Sequence, residues 1–232
     1  MRSRFRASYV WPLVIFVFGT ASPHFLGNAQ TEQGSALLSK PVTSFTVQGL
    51  CLVEALLQLG QQEDIPLGIE YVDRESLEKP ISVKMDETTA GGILEKLLGQ
   101  EGGYSWRVRE GVLTVGHGSA VSARENLLNR VIPQFSVPRC LVSEANNLLL
   151  MDLELQLDPT IKGFAGDYFP GDSQNLIGPL TMRNVPVWRV LNRLVTVNQK
   201  GAWIVKVANG PLDKLPSYGL WKIVEYQKSP QR

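Results

Sequence analysis

The side chains in this sequence that could do covalent or metal chemistry are few. Cys51 and Cys140 are the only thiols, and His24 and His117 the only imidazoles, among 232 residues. A thiol nucleophile needs a nearby base, and Cys140 with His117 is the only such pairing near in sequence. His117 sits in Gly-His-Gly-Ser after a strand pattern, which reads as a linker, so an exposed imidazole is expected there. Asp167, Tyr168 and Asp172 fall together in DPTIKGFAGDYFPGDSQNLIGP (158–179), a Gly- and Pro-rich stretch. Carboxylates on such a loop are ordinarily solvated, although a hydrolase could use a pair as acid and base. Gly163-x-x-Gly166 lacks the spacing of a phosphate-cradling loop, and no calcium-loop spacing occurs. The expectation is therefore no catalytic residue, no cofactor and no metal.

Two further groups could make contacts rather than chemistry. Cys51 and Cys140 form an even pair, which in an oxidising compartment suggests a disulfide closing a loop of roughly ninety residues, worth ~4 kcal/mol on a chain-entropy view. The alternative is two separate thiols whose backbones lie too far apart to be bridged. Among the tryptophans, Trp106 and Trp203 are expected on sheet faces covered by helices, although with Trp188 and Trp221 they could instead form a stacking surface. Trp188 follows Val187 and so points off the apolar face of its helix. With Phe164, Tyr168 and Phe169 it makes a candidate exposed partner-contact patch.

Elements must hold these residues, and the first thirty residues read as an address instead. Arg2, Arg4 and Arg6 precede an apolar run from Val10 to Phe18, and small residues follow to Ala29. This is the three-part pattern of a secretory signal peptide, with Gln30 as the mature start and cleavage after Ala21 as the second choice. The apolar run is short of the ~20 residues a span needs, which leaves an inner-membrane anchor by an uncleaved segment as the alternative. No later stretch is long and apolar enough to span as a helix, so no membrane span is expected after cleavage. Removing residues 1–29 leaves 20 basic against 22 acidic residues, net −2, and a single histidine. Nothing in that balance points to nucleic acid.

The rest of the chain carries a repeat. Phe45 and Val47 alternate as a strand, and Leu52, Ala55, Leu56 and Leu59 make one face of a helix. Strands are expected at 67–71 and 81–85. Ala90, Ile93, Leu94, Leu97 and Leu98 make a second helical face, and a hairpin over 104–115 turns at Glu110-Gly111. The stretch 135–149 lies over 45–59 at an offset of 90, pairing Phe45 with Phe135 and Leu59 with Leu149. The stretch 180–195 lies over 83–98 at an offset of 97, pairing Met85 with Met182 and, further on, Trp106 with Trp203. The change of offset is a seven-residue insertion in the 158–179 loop. Asn146 stands where the first copy has Leu56, and Pro186 reads as a first helical residue. The expected fold is α+β. Two tandem βαββαβ units over 42–117 and 130–210 would each form a short sheet packed by two helices, with a tail over 211–232 holding one candidate strand, 219–227.

The frame Phe45, Val47, Leu52, Ala55, Leu56, Leu59, followed by Ala90, Ile93, Leu94, Leu97, Leu98 and then Tyr104 and Trp106, resembles the short N-terminal domain of secretins and TonB-dependent receptors. It covers about 75 residues well and the second copy more weakly, and it is mostly a packing pattern. The resemblance implies a non-catalytic protein–protein contact module facing the periplasm. It also implies a partner in an envelope secretion, pilus or receptor system, and homo-oligomers of the ring-building kind. β-Augmentation at sheet edges is one docking mode for such small sheets. The membrane barrel of those families has no counterpart here, so channel formation does not carry over. The competing function is an exported hydrolase or glycan-binding protein using the 158–179 loop.

Overall fold

The computed structural model describes residues 34–71, 79–118, 126–157, 175–197, 201–206 and 221–226. The fold is α+β. A helical turn at 34–38 leads into β1 (Pro41–Leu50), α1 (Leu52–Glu63), β2 (Leu67–Tyr71), β3 (Ile81–Thr89), α2 (Ala90–Leu98), β4 (Tyr104–Arg109) and β5 (Val112–His117). After a 3₁₀ turn (Leu127–Asn129) come β6 (Val131–Val137), β7 (Cys140–Leu141), α3 (Val142–Leu157), β8 (Leu176–Ile177), β9 (Leu180–Pro186), α4 (Val187–Thr196), β10 (Gly201–Lys206) and β11 (Trp221–Glu225).

Local sequence explains most of these elements. Leu52, Ala55, Leu56 and Leu59 are buried on α1, and all five apolar positions of α2 are buried, as the i, i+3, i+4 spacing predicts. Thr89 caps α2 by accepting from Gly92 N at 3.1 Å. Glu110 and Gly111 both hold positive φ (52° and 77°), the conformation of a two-residue hairpin turn of the type that suits right-handed strand twist. Pro186 ends β9 and caps α4, one position ahead of the expected first helical residue. Its missing N–H costs nothing there, and Val187 N bonds Arg130 O at 3.0 Å instead.

Positions 90 or 97 apart hold matching places. β1 pairs antiparallel with β3, placing Phe45 opposite Met85, and β6 pairs antiparallel with β9, placing Phe135 opposite Met182. Glu87 and Asn184 share a positive φ (47° and 50°). Ala90 N bonds Lys40 O just as Val187 N bonds Arg130 O, each at 3.0 Å. The Glu54 carboxylate accepts from Cys51 N at 3.1 Å, and Glu144 from Leu141 N at 2.9 Å, so both first helices start on the same device.

The remaining strands do not part by copy. Apart from the small β7–β8 pair, they form one five-stranded sheet in the order β11-β10-β2-β5-β4. β2 lies between its own neighbour β5 and β10 of the second half, parallel to both. The candidate strand in the C-terminal tail is β11, a member of this sheet rather than an appendage. The sheet divides two cores. Leu67, Ile69, Leu113, Val115, Ala202 and Ile204 face α1, α2 and the β1–β3 ribbon. Val112, Trp203 and Val205 face α3, α4 and the β6–β9 ribbon. The expectation of two separate short sheets thus gives way to one sheet used on both faces.

Candidate functional site

A polar seam runs along the second-core face of the shared sheet. Glu70 alternates with Ile69 and Tyr71 on β2, so its side chain faces away from the first core, and only 1% of it is exposed. Its Oε1 takes Arg107 Nη2 at 3.1 Å, and its Oε2 accepts from Asn126 Nδ2 at 3.3 Å. Asn126 Oδ1 in turn caps the 3₁₀ turn by accepting from Leu128 N at 2.9 Å. Burial pushes the Glu70 carboxyl above its ordinary range, against the opposing pull of Arg107, Asn126 and Arg109. Burial, then repulsion from Arg107, lowers Arg109, with Glu70 working the other way.

The seam continues onto α4. Arg109 lies over the Trp188 ring at 4.9 Å, and its carbonyl accepts from Asn192 Nδ2 at 3.0 Å. Asn192 Oδ1 accepts from Trp203 Nε1 at 2.8 Å, so one buried amide satisfies two halves of the molecule. Arg189 pairs with Glu110 at the hairpin turn. Each charged group here has an opposite partner or an aromatic face. Glu70 is closed off from solvent, and its ion pair and amide bond tie β2, β4 and the 3₁₀ turn together at one junction.

The residues expected to act distribute as follows. Trp188 is half-buried, packed against the second core beneath Arg109, and not a free-standing exposed ring. Phe164, Tyr168 and Phe169, with Asp167 and Asp172, lie outside the described residues. Cys51 and Cys140 are free thiols, one against the first core and the other in the second, which is the alternative of two separate thiols. They are not equivalent positions either, since Cys51 matches Leu141 at the offset of 90. Burial raises both thiols. His117 ends β5 inside the sheet, edge-on to Tyr104 at 5.1 Å, and is not in a linker. Trp203 is fully buried as expected, but Trp106, on an edge strand, is 39% exposed.

The seam left some trace in the sequence. Glu70 is a lone acid in an otherwise apolar strand, and Arg107 and Arg109 share one face of β4 by alternation. Nothing in the spacing linked them to Asn126 or Asn192. Among the described residues no cluster of three or more His, Cys, Asp or Glu could hold a metal ion. A niche between α3, α4 and β11, lined by Val142, Asn175, Leu194 and Ile223, has room for about one water molecule.

The ribbons carry exposed residues along their strands. On β1, Gln58 Nε2 donates to Thr46 O at 2.9 Å and Gln62 Nε2 to Ser44 O at 2.7 Å, so α1 side chains occupy the outward carbonyls of that edge. β3, β6 and β9 carry exposed polar residues along their length, among them Lys84, Asp86, Gln134, Ser136 and Arg183. No helix among the described residues is long and apolar enough to cross a membrane. Comparison with protein-family models, with curated proteins and with solved structures returned no match for this chain.

Proposed function

We propose that this chain is an exported, non-catalytic protein–protein interaction module. It is built from two short-N-terminal-domain-like units of the secretin and TonB-receptor kind, and it works in the periplasm after removal of residues 1–29. Its partner is a component of an envelope secretion, pilus or receptor system, met at the edges of the two-stranded ribbons. The observation that carries the reading is where the shared frame sits. Phe45, Val47, Leu52, Ala55, Leu56, Leu59, Ala90, Ile93, Leu94, Leu97 and Leu98 are all buried in one core, while both ribbons keep exposed residues along their strands. A small protein that spends its apolar residues on packing and leaves strand edges outside is suited to pairing with other chains.

The test is photocrosslinking in the host cell, with the reactive residue placed on β3, β6 or β9, and fractionation of the same cells. The expected result is periplasmic recovery of a chain starting at Gln30, joined to one envelope component from ribbon positions. Recovery in the cytoplasm, or adducts equally frequent from every surface, would overturn the proposal.

A further inference from the structure

The two ribbons are built alike but guarded differently. In the first, Gln58 and Gln62 donate to the outward carbonyls of Thr46 and Ser44, which blunts the β1 edge. The matched register places Ser136 and Gln134 where β1 has Thr46 and Ser44, so their carbonyls point outward from β6. At the offset of 90, the guarding positions on α3 are Leu148 and Asp152. Leucine offers no donor, and a carboxylate only accepts. Among the described residues, the β6 edge thus lacks the two bonds that close β1.

The surroundings are also different in kind. Val131 on β6 is 54% exposed and Leu155 on α3 is 43% exposed, two of the four large apolar residues left at the surface among the described residues. Leu148 is only partly buried against the second core. α3 packs on β6 as α1 packs on β1, so at the offset of 90 Leu148 and Asp152 hold the places from which Gln58 and Gln62 reach the β1 edge. Asp152 is partly desolvated, and burial raises its carboxyl. A nearby cation would offset that penalty.

We infer that the β6 edge is a docking site for an extended segment of a partner protein that adds a strand beside β6. The segment presents apolar side chains to Val131, Leu148 and Leu155 and a lysine or arginine to Asp152. Its N–H groups bond the carbonyls of Gln134 and Ser136, and side-chain alternation along the added strand sets its specificity. This site is one location for the contact proposed above and rests on that reading only for the partner's cellular origin.

The probe is a seven-residue peptide alternating valine and threonine around a central lysine, with a central-glutamate version as control. Both are titrated into the chain beginning at Gln30 and followed by amide NMR shifts. The expected result is perturbation along 131–137 by the lysine peptide, with the glutamate peptide at least about tenfold weaker. Asp152→Asn should remove that preference. Leu148→Gln with Asp152→Gln installs the α1 guard and should abolish binding. The reverse exchange, Gln58→Leu with Gln62→Asp, should open β1 and create a second site, a gain that loss of folding cannot mimic. Shifts confined to other strands, or no shift at β6 with the chain folded, would overturn the site. Peptide binding at β6 without an envelope adduct in cells would keep the site and overturn the functional reading.

Discussion

The indole of Trp203 rests on the Cα of Gly68, its partner in the parallel pairing of β10 with β2. A Cβ at residue 68 would come within 2.9 Å of three atoms of the six-membered ring, so glycine there is a matter of room and not of backbone angle. Gly68→Ala should cost about 1–3 kcal/mol, as overpacked cores do, and lower Tm by roughly 2–4 °C for each kcal/mol in a chain of this size. Adding Trp203→Leu should recover part of the loss that the ring clash causes. A double-mutant thermal series checks this, and strictly additive losses would show that the two residues do not touch.

Asn192 should be the most sensitive polar residue of α4. Its amide donates to Arg109 O and accepts from Trp203 Nε1, and both partners are left short if it is removed. Asn192→Leu is expected to destabilise by about 1–3 kcal/mol per stranded group. The readout is urea unfolding followed at more than one probe, because both cores should loosen together.

The pH dependence of stability has a definite sign at Glu70. Its carboxyl is raised in the folded chain, mainly by burial, so the unfolded chain ionises it first as pH rises. The contribution of Glu70 is therefore fully present below the ordinary carboxylate range and lost as pH rises through the raised folded value. The stability of the natural chain minus that of Glu70→Gln should fall from acid to neutral pH. A difference that grows instead would mean that attraction to Arg107 outweighs burial.

The thiols should behave independently. Intact mass should not change on reduction, and a thiol reagent should modify Cys51 before Cys140, because Cys51 is half-exposed and Cys140 buried. Both should react slowly at neutral pH, since burial raises each. A mass lower by two hydrogens without reductant would establish the bond between them.

The parts of the fold that were legible in the sequence are those with one wet face. The faces of α1, α2 and α4 could be read because each helix leaves one side to solvent, and the offsets of 90 and 97 matched Phe45 with Phe135 and Met85 with Met182, without saying that Phe45 pairs with Met85 or Phe135 with Met182. β2 and β10 gave no such guide. Both LGIEY and GAWIV (201–205) are buried on two faces, so alternation cannot say which strand lies beside which. The exposure of Trp106 follows from the same limit: a match to Trp203 in sequence does not tell an edge strand from a central one. The seam depends on residues 70, 107, 126 and 192, brought together only by that unread strand order.

Ala202, Ile204 and Tyr226 belong to the first core, where the Tyr226 hydroxyl donates to Ile65 O at 3.0 Å. A ribosome delivers the chain from its N-terminus. The half that emerges first then has an unfilled slot beside β2 until β10 and residue 226 arrive. The core of the early half is complete only once β11 and Tyr226 are in place, so a chain truncated before Trp221 should leave that core unfilled.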